Sequence, residues 1–101
     1  MATYRVEFHP GALEDAAVAA AWYTSRSLQV AERFELALSV AIATISHHAE
    51  RAAPDESGIR WIRLKRFPYR LNYLIGDSQT AYVLSIAHAH QHPDYWRDRL
   101  S

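Results

Sequence analysis

The alternation of hydrophobic and polar residues near the start of the chain predicts one strand followed by a helical hairpin. Apolar and charged side chains alternate over Tyr4–Phe8, which is typical of a strand with one buried face. His9-Pro10-Gly11 comes next, and Pro suits the first position of a helix. We therefore expect a first helix that ends near Thr24. Ser27 is a suitable N-cap for a second helix that runs to about His47.

Apolar residues recur every three or four positions along both helices, which predicts one buried face on each. In the first helix they are Leu13, Ala16 or Ala17, Ala20 and Tyr23. In the second they are Val30, Phe34, Leu38, Ala41 and Ile45. Glu14 and Asp15 are expected in the first turn of the first helix, where negative charge complements the helix dipole. The short link between the helices predicts that they are antiparallel.

Three strands and a short helix are predicted after a polar loop over residues 51–58. The strands cover Trp61–Lys65, Tyr69–Ile75 and Thr80–His88, and Gly76-Asp77-Ser78 turns the chain between the last two. The third of these strands is apolar on both faces, so we expect it to be central in the sheet. Pro93 is suited to open the last helix.

The order β-α-α-β-β-β-(α) predicts an α+β fold, with an antiparallel-rich sheet packed on the two-helix hairpin. The length of 101 residues fits a single domain over 1–101. The two helices can cover only one face of the sheet. We therefore expect the other face, which carries Arg63, Lys65 and Arg70, to stay partly open.

Composition and charge exclude several kinds of site and indicate one kind of ligand. The chain has no cysteine, which excludes thiol chemistry, and only three glycines, which argues against a phosphate-binding glycine loop. No secretion signal or membrane span is visible, so we expect a cytoplasmic protein with no membrane partner. The net charge is zero, yet the stretch 59–76 holds five basic residues and no acid: Arg60, Arg63, Lys65, Arg66 and Arg70. Such a cluster attracts anions, although it could also be a strand edge protected by charge.

The residues suited to chemistry lie in the second half of the chain. Arg63, Lys65 and Arg70 could bind a phosphodiester and stabilise charge that develops on phosphorus. Tyr95 or one of the histidines at positions 88, 90 and 92 could then act as acid or base. The alternative for Tyr95 and Trp96 is packing of the chain terminus. We expect no metal and no cofactor, because the His-x-His-x-His run ends a strand without an obvious carboxylate partner.

At this point the sequence resembles the RelE/ParE superfamily of toxins from type II toxin–antitoxin systems. The resemblance covers nearly the whole chain and is carried by its order of elements and by several segments. These are Tyr4–Pro10, Ala21-Trp22-Tyr23, Ala31-Glu32-Arg33-Phe34, Arg66-Phe67-Pro68-Tyr69-Arg70-Leu71-Asn72-Tyr73, Ile86-Ala87-His88 and Pro93-Asp94-Tyr95-Trp96-Arg97-Asp98-Arg99.

The resemblance implies a cytoplasmic toxin of the plasmid-stabilisation type, which inhibits bacterial growth and is neutralised by a cognate antitoxin. Its target would be DNA gyrase if the chain is ParE-like, which is the favoured interpretation. The alternative is a RelE-like, metal-independent endoribonuclease that cuts mRNA on the ribosome, so whether the chain is an enzyme stays open. A further alternative is a non-toxic remnant that still binds the antitoxin. A homodimer and a toxin–antitoxin hetero-oligomer are both compatible with the resemblance.

Residue by residue, the RelE-like alternative assigns catalysis to Arg70, Tyr95 and His88. Target binding would then fall to Arg63, Lys65, Arg66, His90, His92, Trp96 and Arg97. Gln91 departs from the pattern, because RelE-like nucleases and many relatives carry Arg at the equivalent position. A neutral Gln cannot form a charge-assisted clamp on phosphate, which counts against the nuclease mechanism. No short motif marks the gyrase-directed alternative.

Overall fold

Two helices pack on one face of a four-stranded mixed sheet in the computed structural model, which describes residues 3–100. The elements are β1 (Arg5–Phe8), α1 (Pro10–Arg26), α2 (Leu28–His48), β2 (Arg60–Arg63), β3 (Tyr69–Ile75), β4 (Thr80–His88) and a 3-10 turn (Arg97–Leu100). The strands lie in the order β1-β4-β3-β2. β1 runs parallel to β4, and the other neighbours are antiparallel. The predicted α+β fold and its order of elements are confirmed.

β4 is a central strand, as its apolar character on both faces predicts. Val83 and Ile86 are buried in the cluster that includes the helices. Leu84 and Ala87 are buried in a second, smaller cluster on the opposite face. A strand that is covered on both sides needs apolar residues at consecutive positions, which is why simple alternation is lost here.

Both helices begin and end at identifiable caps. The Nδ1 atom of His9 accepts a hydrogen bond from the backbone N–H of Gly11 (2.9 Å), and Pro10 opens α1 as predicted. Ser27 closes α1 by donating its N–H to the carbonyl of Tyr23 (2.8 Å), so the helix extends to Arg26 instead of ending near Thr24. The Ser27 hydroxyl also accepts from the N–H of Val30 (3.3 Å), which confirms the predicted N-cap of α2. No helix within residues 3–100 has the length and apolar character needed to cross a bilayer.

The main core forms around an aromatic cluster between α2 and the sheet. Phe34 is fully buried, and its ring centroid lies 5.1 Å from that of Tyr23, 5.3 Å from Phe67 and 5.4 Å from Tyr69. Ala41 and Ile45 are buried on the same face, as the spacing along α2 predicts.

The predicted inward face of α1 is partly wrong. Leu13 is 57% exposed, whereas Ala12 and Ala19 are buried. One residue corresponds to a rotation of about 100° around a helix axis, so the buried stripe is centred on smaller side chains than Leu13. Alanines on this stripe let the helix backbone approach β4 closely.

The strand predicted over Trp61–Lys65 is also partly wrong, because β2 ends at Arg63. Lys65 and Arg66 lie in the turn that follows, and Arg66 has a positive φ of 71°. Pro68 would face Lys65 if the pairing of β2 and β3 continued, and it has no backbone N–H to donate to that strand. Lys65 is consequently not a residue of the basic strand.

Two expectations about charges and the chain terminus are wrong. The first turn of α1 contains no acid, because the helix starts at Pro10 and Glu14 and Asp15 lie in its second turn. No helix opens at Pro93, and only a 3-10 turn over Arg97–Leu100 is formed. The second sheet face is partly open, as expected, because Arg63 and Arg70 are exposed while the residues after β4 fold back over the rest.

Candidate functional surface

Three exposed side chains on β2 and β3 form what we call the basic surface: Trp61, Arg63 and Arg70. Arg63 lies directly opposite Arg70 in the antiparallel pairing. Ile62 and Leu71 alternate with these residues and pack in the core with the helices. Because successive side chains of a strand point to opposite faces, the basic surface lies on the face away from the helices.

Positive charge on the basic surface is not neutralised by neighbouring acids. The guanidinium carbon of Arg70 lies 4.4 Å from the ring centroid of Trp61, which is a cation–π contact. Neither Arg63 nor Arg70 forms a salt bridge with a carboxylate in the part of the chain that the structure describes. Like charges directly opposite each other on a sheet repel, so a bound anion would be stabilised here.

The residues that follow β4, 89–100, form the C-terminal segment, which covers part of the same sheet face. Its main anchor is Trp96, which is 3% exposed and packs in a cluster with Ile59, Leu84 and Ala87. Tyr95 is half-buried beside this cluster. The aromatic pair near the terminus therefore contributes to packing in this structure.

Asp15 of α1 fixes the C-terminal segment at the edge of β4. Its carboxylate accepts hydrogen bonds from the Tyr95 hydroxyl (3.1 Å) and from the backbone N–H of Ile86 (3.0 Å). It also forms a salt bridge with Arg99 (2.9 Å), and both side chains are largely buried. Arg99 in turn donates to the carbonyl of Leu84 (2.9 Å), so one acid joins α1, β4 and the terminus.

This environment changes the acidity of the Tyr95 hydroxyl. Burial, reinforced by the negative charge of Asp15, raises the pKa of Tyr95 well above its usual value. The hydrogen bond from Arg99 to Asp15 raises the pKa of the Arg99 guanidinium. The raised pKa makes the Tyr95 hydroxyl harder to deprotonate than that of an ordinary tyrosine, which counts against a role as general base.

The histidines at the end of β4 and after it form local hydrogen bonds. The Nδ1 atom of His88 accepts from the N–H of His90 (3.0 Å), and Nδ1 of His92 accepts from the N–H of Asp94 (3.1 Å). Gln91 caps the end of β4, because its side-chain oxygen accepts from the N–H of His88 (2.7 Å). Across residues 3–100, no group of three or more His, Cys, Asp or Glu side chains is arranged to hold a metal ion.

A cavity lies between the basic surface and the C-terminal segment. Its lining includes Trp61, Arg70, His88, Gln91 and Arg97. A second cavity beside it is lined by Arg63 and Arg70. Tyr95 lines neither of them. His88 lines the first cavity, but its ring packs against that of Tyr69 (centroids 4.9 Å apart) on the helix side of the sheet, whereas Arg70 points to the other face. Tyr95 is held at Asp15.

Three other predicted target-binding residues make contacts away from Arg63 and Arg70. Lys65 and Arg66 line a groove on α2 that we call the α2 groove, with Arg33, Ala37, Phe67 and the apolar residues Val30, Leu36 and Val40. Arg97 bridges two acids, with its guanidinium 2.7 Å from Asp94 and 3.2 Å from Asp55. The predicted target-binding residues are therefore divided among the basic surface, the C-terminal segment and the α2 groove.

The sequence analysis placed neither Trp61, Asp15 nor Arg99 in the site, and it expected Asp15 only to complement the helix dipole. Asp15 could have been noticed, because it follows Ala12 by three positions and precedes Ala19 by four, and therefore lies on the buried stripe of α1. An acid on a buried stripe needs a partner. No comparable signal exists for Arg99, since its partner is distant in the chain.

The family model of ParE toxins from type II toxin–antitoxin systems (parDE) matches residues 6–93 of this chain. The chain belongs to the ParE toxin family. The resemblance to the RelE/ParE superfamily is thereby confirmed, and the protein is a toxin of a type II toxin–antitoxin system. The match spans every helix and strand except the first residue of β1. It ends before Tyr95, so the family assignment does not depend on the C-terminal aromatic residues.

Solved structures with the same fold come from toxin–antitoxin systems. A chain from the chromosomal ParDE system of P. aeruginosa superposes with a TM-score of 0.71 at 16% identity, covering 86% of this ParE-family chain and 97% of the other. A chain from the RelBE2 toxin–antitoxin complex of Mycobacterium tuberculosis gives a TM-score of 0.59 at 25% identity, with coverages of 87% and 93%. Among curated proteins, no sequence matches significantly.

Proposed function

We propose that this ParE-family protein arrests bacterial growth by binding DNA gyrase, and that it is not an RNA-cleaving enzyme. The family match supports a toxin, and the arrangement of Tyr95 supports this choice of target. In the RelE-like alternative, Tyr95 would have to act in catalysis beside Arg70. The hydroxyl of Tyr95 is instead bonded to Asp15, and this is the observation on which the proposal mainly rests.

Gln91 adds independent support for the proposal. In the RelE-like pattern an Arg at this position would contact phosphate, but Gln91 is neutral and its side-chain oxygen accepts from the N–H of His88. That hydrogen bond stabilises the end of β4 and occupies the side-chain oxygen of Gln91. The position therefore contributes to local structure and supplies no positive charge.

One observation favours the alternative, a ribosome-dependent endoribonuclease. Arg63 and Arg70 lie opposite each other, and neither forms a salt bridge with an acid within residues 3–100. Two guanidinium groups could bind a phosphodiester and stabilise charge that develops on phosphorus without a metal. A gyrase-binding toxin should inhibit DNA supercoiling, whereas a ribosome-dependent endoribonuclease should cleave mRNA. Assays of both processes therefore distinguish the two functions.

We expect the purified protein to inhibit supercoiling of relaxed plasmid by DNA gyrase and to leave mRNA intact in a bacterial translation extract. Tyr95→Phe should inhibit gyrase as strongly as the wild type, because this change removes only one hydrogen bond, worth about 1 kcal/mol of stability. Supercoiling is measured on gels across a range of toxin concentrations, and mRNA cleavage by primer extension.

Cleavage of mRNA with intact gyrase activity would contradict this proposal. The RelE-like alternative then predicts that Tyr95→Phe and Arg70→Ala each lower the cleavage rate about 100-fold or more. Arg5→Ala is the matched control for Arg70→Ala, because Arg5 is also exposed on a strand but pairs with Glu7 (3.0 Å) away from the basic surface. A protein that changes neither process, and does not slow growth when expressed alone, would be the non-toxic remnant.

We also propose that a cognate antitoxin binds the α2 groove. Leu36 and Val40 expose apolar surface there (66% and 54% exposed), and Arg33, Lys65 and Arg66 supply positive charge at its rim. An amphipathic segment with acidic flanks would complement both properties. The antitoxin is expected to be encoded by the small reading frame next to the gene.

Replacing Val40 by Asp should weaken the complex with the antitoxin at least about tenfold, because an unpaired carboxylate would be buried at the contact. The control is Ser39→Asp, which adds the same charge at an adjacent exposed position outside the α2 groove. Affinity is measured by calorimetry with the co-expressed partner. Equal affinities for both variants would place the antitoxin elsewhere.

A further inference from the structure

The contact between Trp61 and Arg70 places a guanidinium group over an indole ring on an exposed surface, 4.4 Å from the ring centroid. Trp61 is 46% exposed although it lies in a strand, which is a large apolar area for a single position. Its indole ring fixes Arg70 by stacking, and a guanidinium that is fixed in this way loses less conformational entropy when its N–H groups bind a ligand. The charged edge of Arg70 remains available because no carboxylate within residues 3–100 pairs with it.

Arg63 supplies a second cation beside this stack. It lies across the strand pair from Arg70 and lines the same cavity with Trp61. Two acids, Asp55 and Asp94, line the adjoining cavity, and both pair with Arg97. The surface therefore combines an aromatic platform with two unneutralised guanidinium groups.

We propose that the basic surface is a binding site for single-stranded nucleic acid, with a base stacked at Trp61 and neighbouring phosphates bound by Arg63 and Arg70. Exposed aromatic rings and Arg planes bind unpaired bases of any sequence, and Arg binds phosphate through two parallel hydrogen bonds. A base in a duplex is already stacked and hides its face from such a platform. An acidic peptide would use the two charges but not the exposed indole.

This site is independent of the target proposed above. A toxin that binds gyrase would use it to contact an exposed strand of the DNA on which gyrase acts. A ribosome-dependent nuclease would use it to hold mRNA. Binding is measured with isolated oligonucleotides, without gyrase or ribosomes, so either proposal can fail while the other stands.

The chain contains a matched control for the stack. Arg26 lies over Trp22 on α1 with the same distance of 4.4 Å between guanidinium carbon and ring centroid, and Trp22 is 51% exposed. That pair differs from the basic surface because it lies on a helix and has no second Arg in a facing strand. If a stacked Arg and Trp were enough for binding, both pairs would contribute equally.

The experiment measures fluorescence anisotropy of labelled oligo-dT and oligo-rU of about 12 nucleotides, a length within the range bound by single-stranded sites. Trp61→Ala should lower the affinity about tenfold or more, whereas Trp22→Ala should leave it unchanged. Arg63→Ala and Arg70→Ala should each reduce the slope of log affinity against log salt by about 0.7, as expected for one lost phosphate contact. Arg26→Ala should leave the slope unchanged.

The competing ligands are tested with the same variants. Preference for dT over rU indicates a DNA ligand and the reverse an RNA ligand, and either result supports the site. The proposal is overturned if blunt duplex DNA binds as well as single strands, or if Trp61→Ala binds like Trp22→Ala. It is also overturned if a poly-glutamate peptide of equal length binds as tightly with the same dependence on Arg63 and Arg70, which would indicate an acidic protein partner.

Discussion

Replacing Asp15 by Ala should lower the free energy of unfolding by about 3–5 kcal/mol, because it leaves the Arg99 guanidinium largely buried without its counter-charge. The same substitution removes the acceptor for the Tyr95 hydroxyl and for the backbone N–H of Ile86. Domains of this size are stable by about 5–15 kcal/mol, so the loss is a large fraction of the total. The measurement is urea unfolding followed by circular dichroism.

The control for Asp15 is an ion pair that is exposed to solvent instead of largely buried. Arg5→Ala breaks the exposed pair with Glu7 (3.0 Å) and should cost less than about 1 kcal/mol. Asp15→Asn keeps an acceptor oxygen but loses the charge, and we expect an intermediate effect. If Asp15→Ala unfolds at the same urea concentration as Arg5→Ala, the carboxylate does not anchor the C-terminal segment.

Replacing Trp96 by Ala should lower the free energy of unfolding by about 3–5 kcal/mol, the range expected for removing a large buried aromatic side chain. Trp96 is 3% exposed and forms the cluster with Ile59, Leu84 and Ala87. Two of these partners belong to the central strand β4, so the cavity would open against the middle of the sheet. Thermal and urea unfolding both report the change.

Trp22→Ala is the matched control for Trp96, since Trp22 is 51% exposed and its loss should cost less than about 1 kcal/mol. Equal effects of the two substitutions would mean that the C-terminal segment does not pack on the sheet. Asp15 and Trp96 hold the same segment. The double substitution should therefore cost less than the sum of the single ones.

Several features of this fold follow from spacing along the chain. The buried face of α2 was predicted through Phe34, Ala41 and Ile45, and the central position of β4 through its consecutive apolar residues. Ser27 was recognised as an N-cap. Each of these depends on neighbours within a few positions, so the sequence contains the necessary information.

The candidate site was predicted less well, because it depends on which face and which turn each residue occupies. Lys65 was placed on a strand with Arg63, but the strand ends two residues earlier and Lys65 turns towards α2. Leu13 was expected to be buried, but the rotation of α1 against the sheet buries Ala12 instead. The end of β2 and the rotation of α1 depend on how the helices pack on the sheet. The composition of the chain does not specify that packing.

The sequence by itself determined the order of helices and strands, the central strand and the family, because these follow from local periodicity and from short segments of residues. Only the tertiary structure decided that Tyr95 and Arg99 meet Asp15, across separations of 80 and 84 residues. It also placed Trp61 beside Arg70 through the register of β2 and β3. Contacts between distant residues arise when whole elements pack to bury apolar surface, and no pattern confined to one element specifies them.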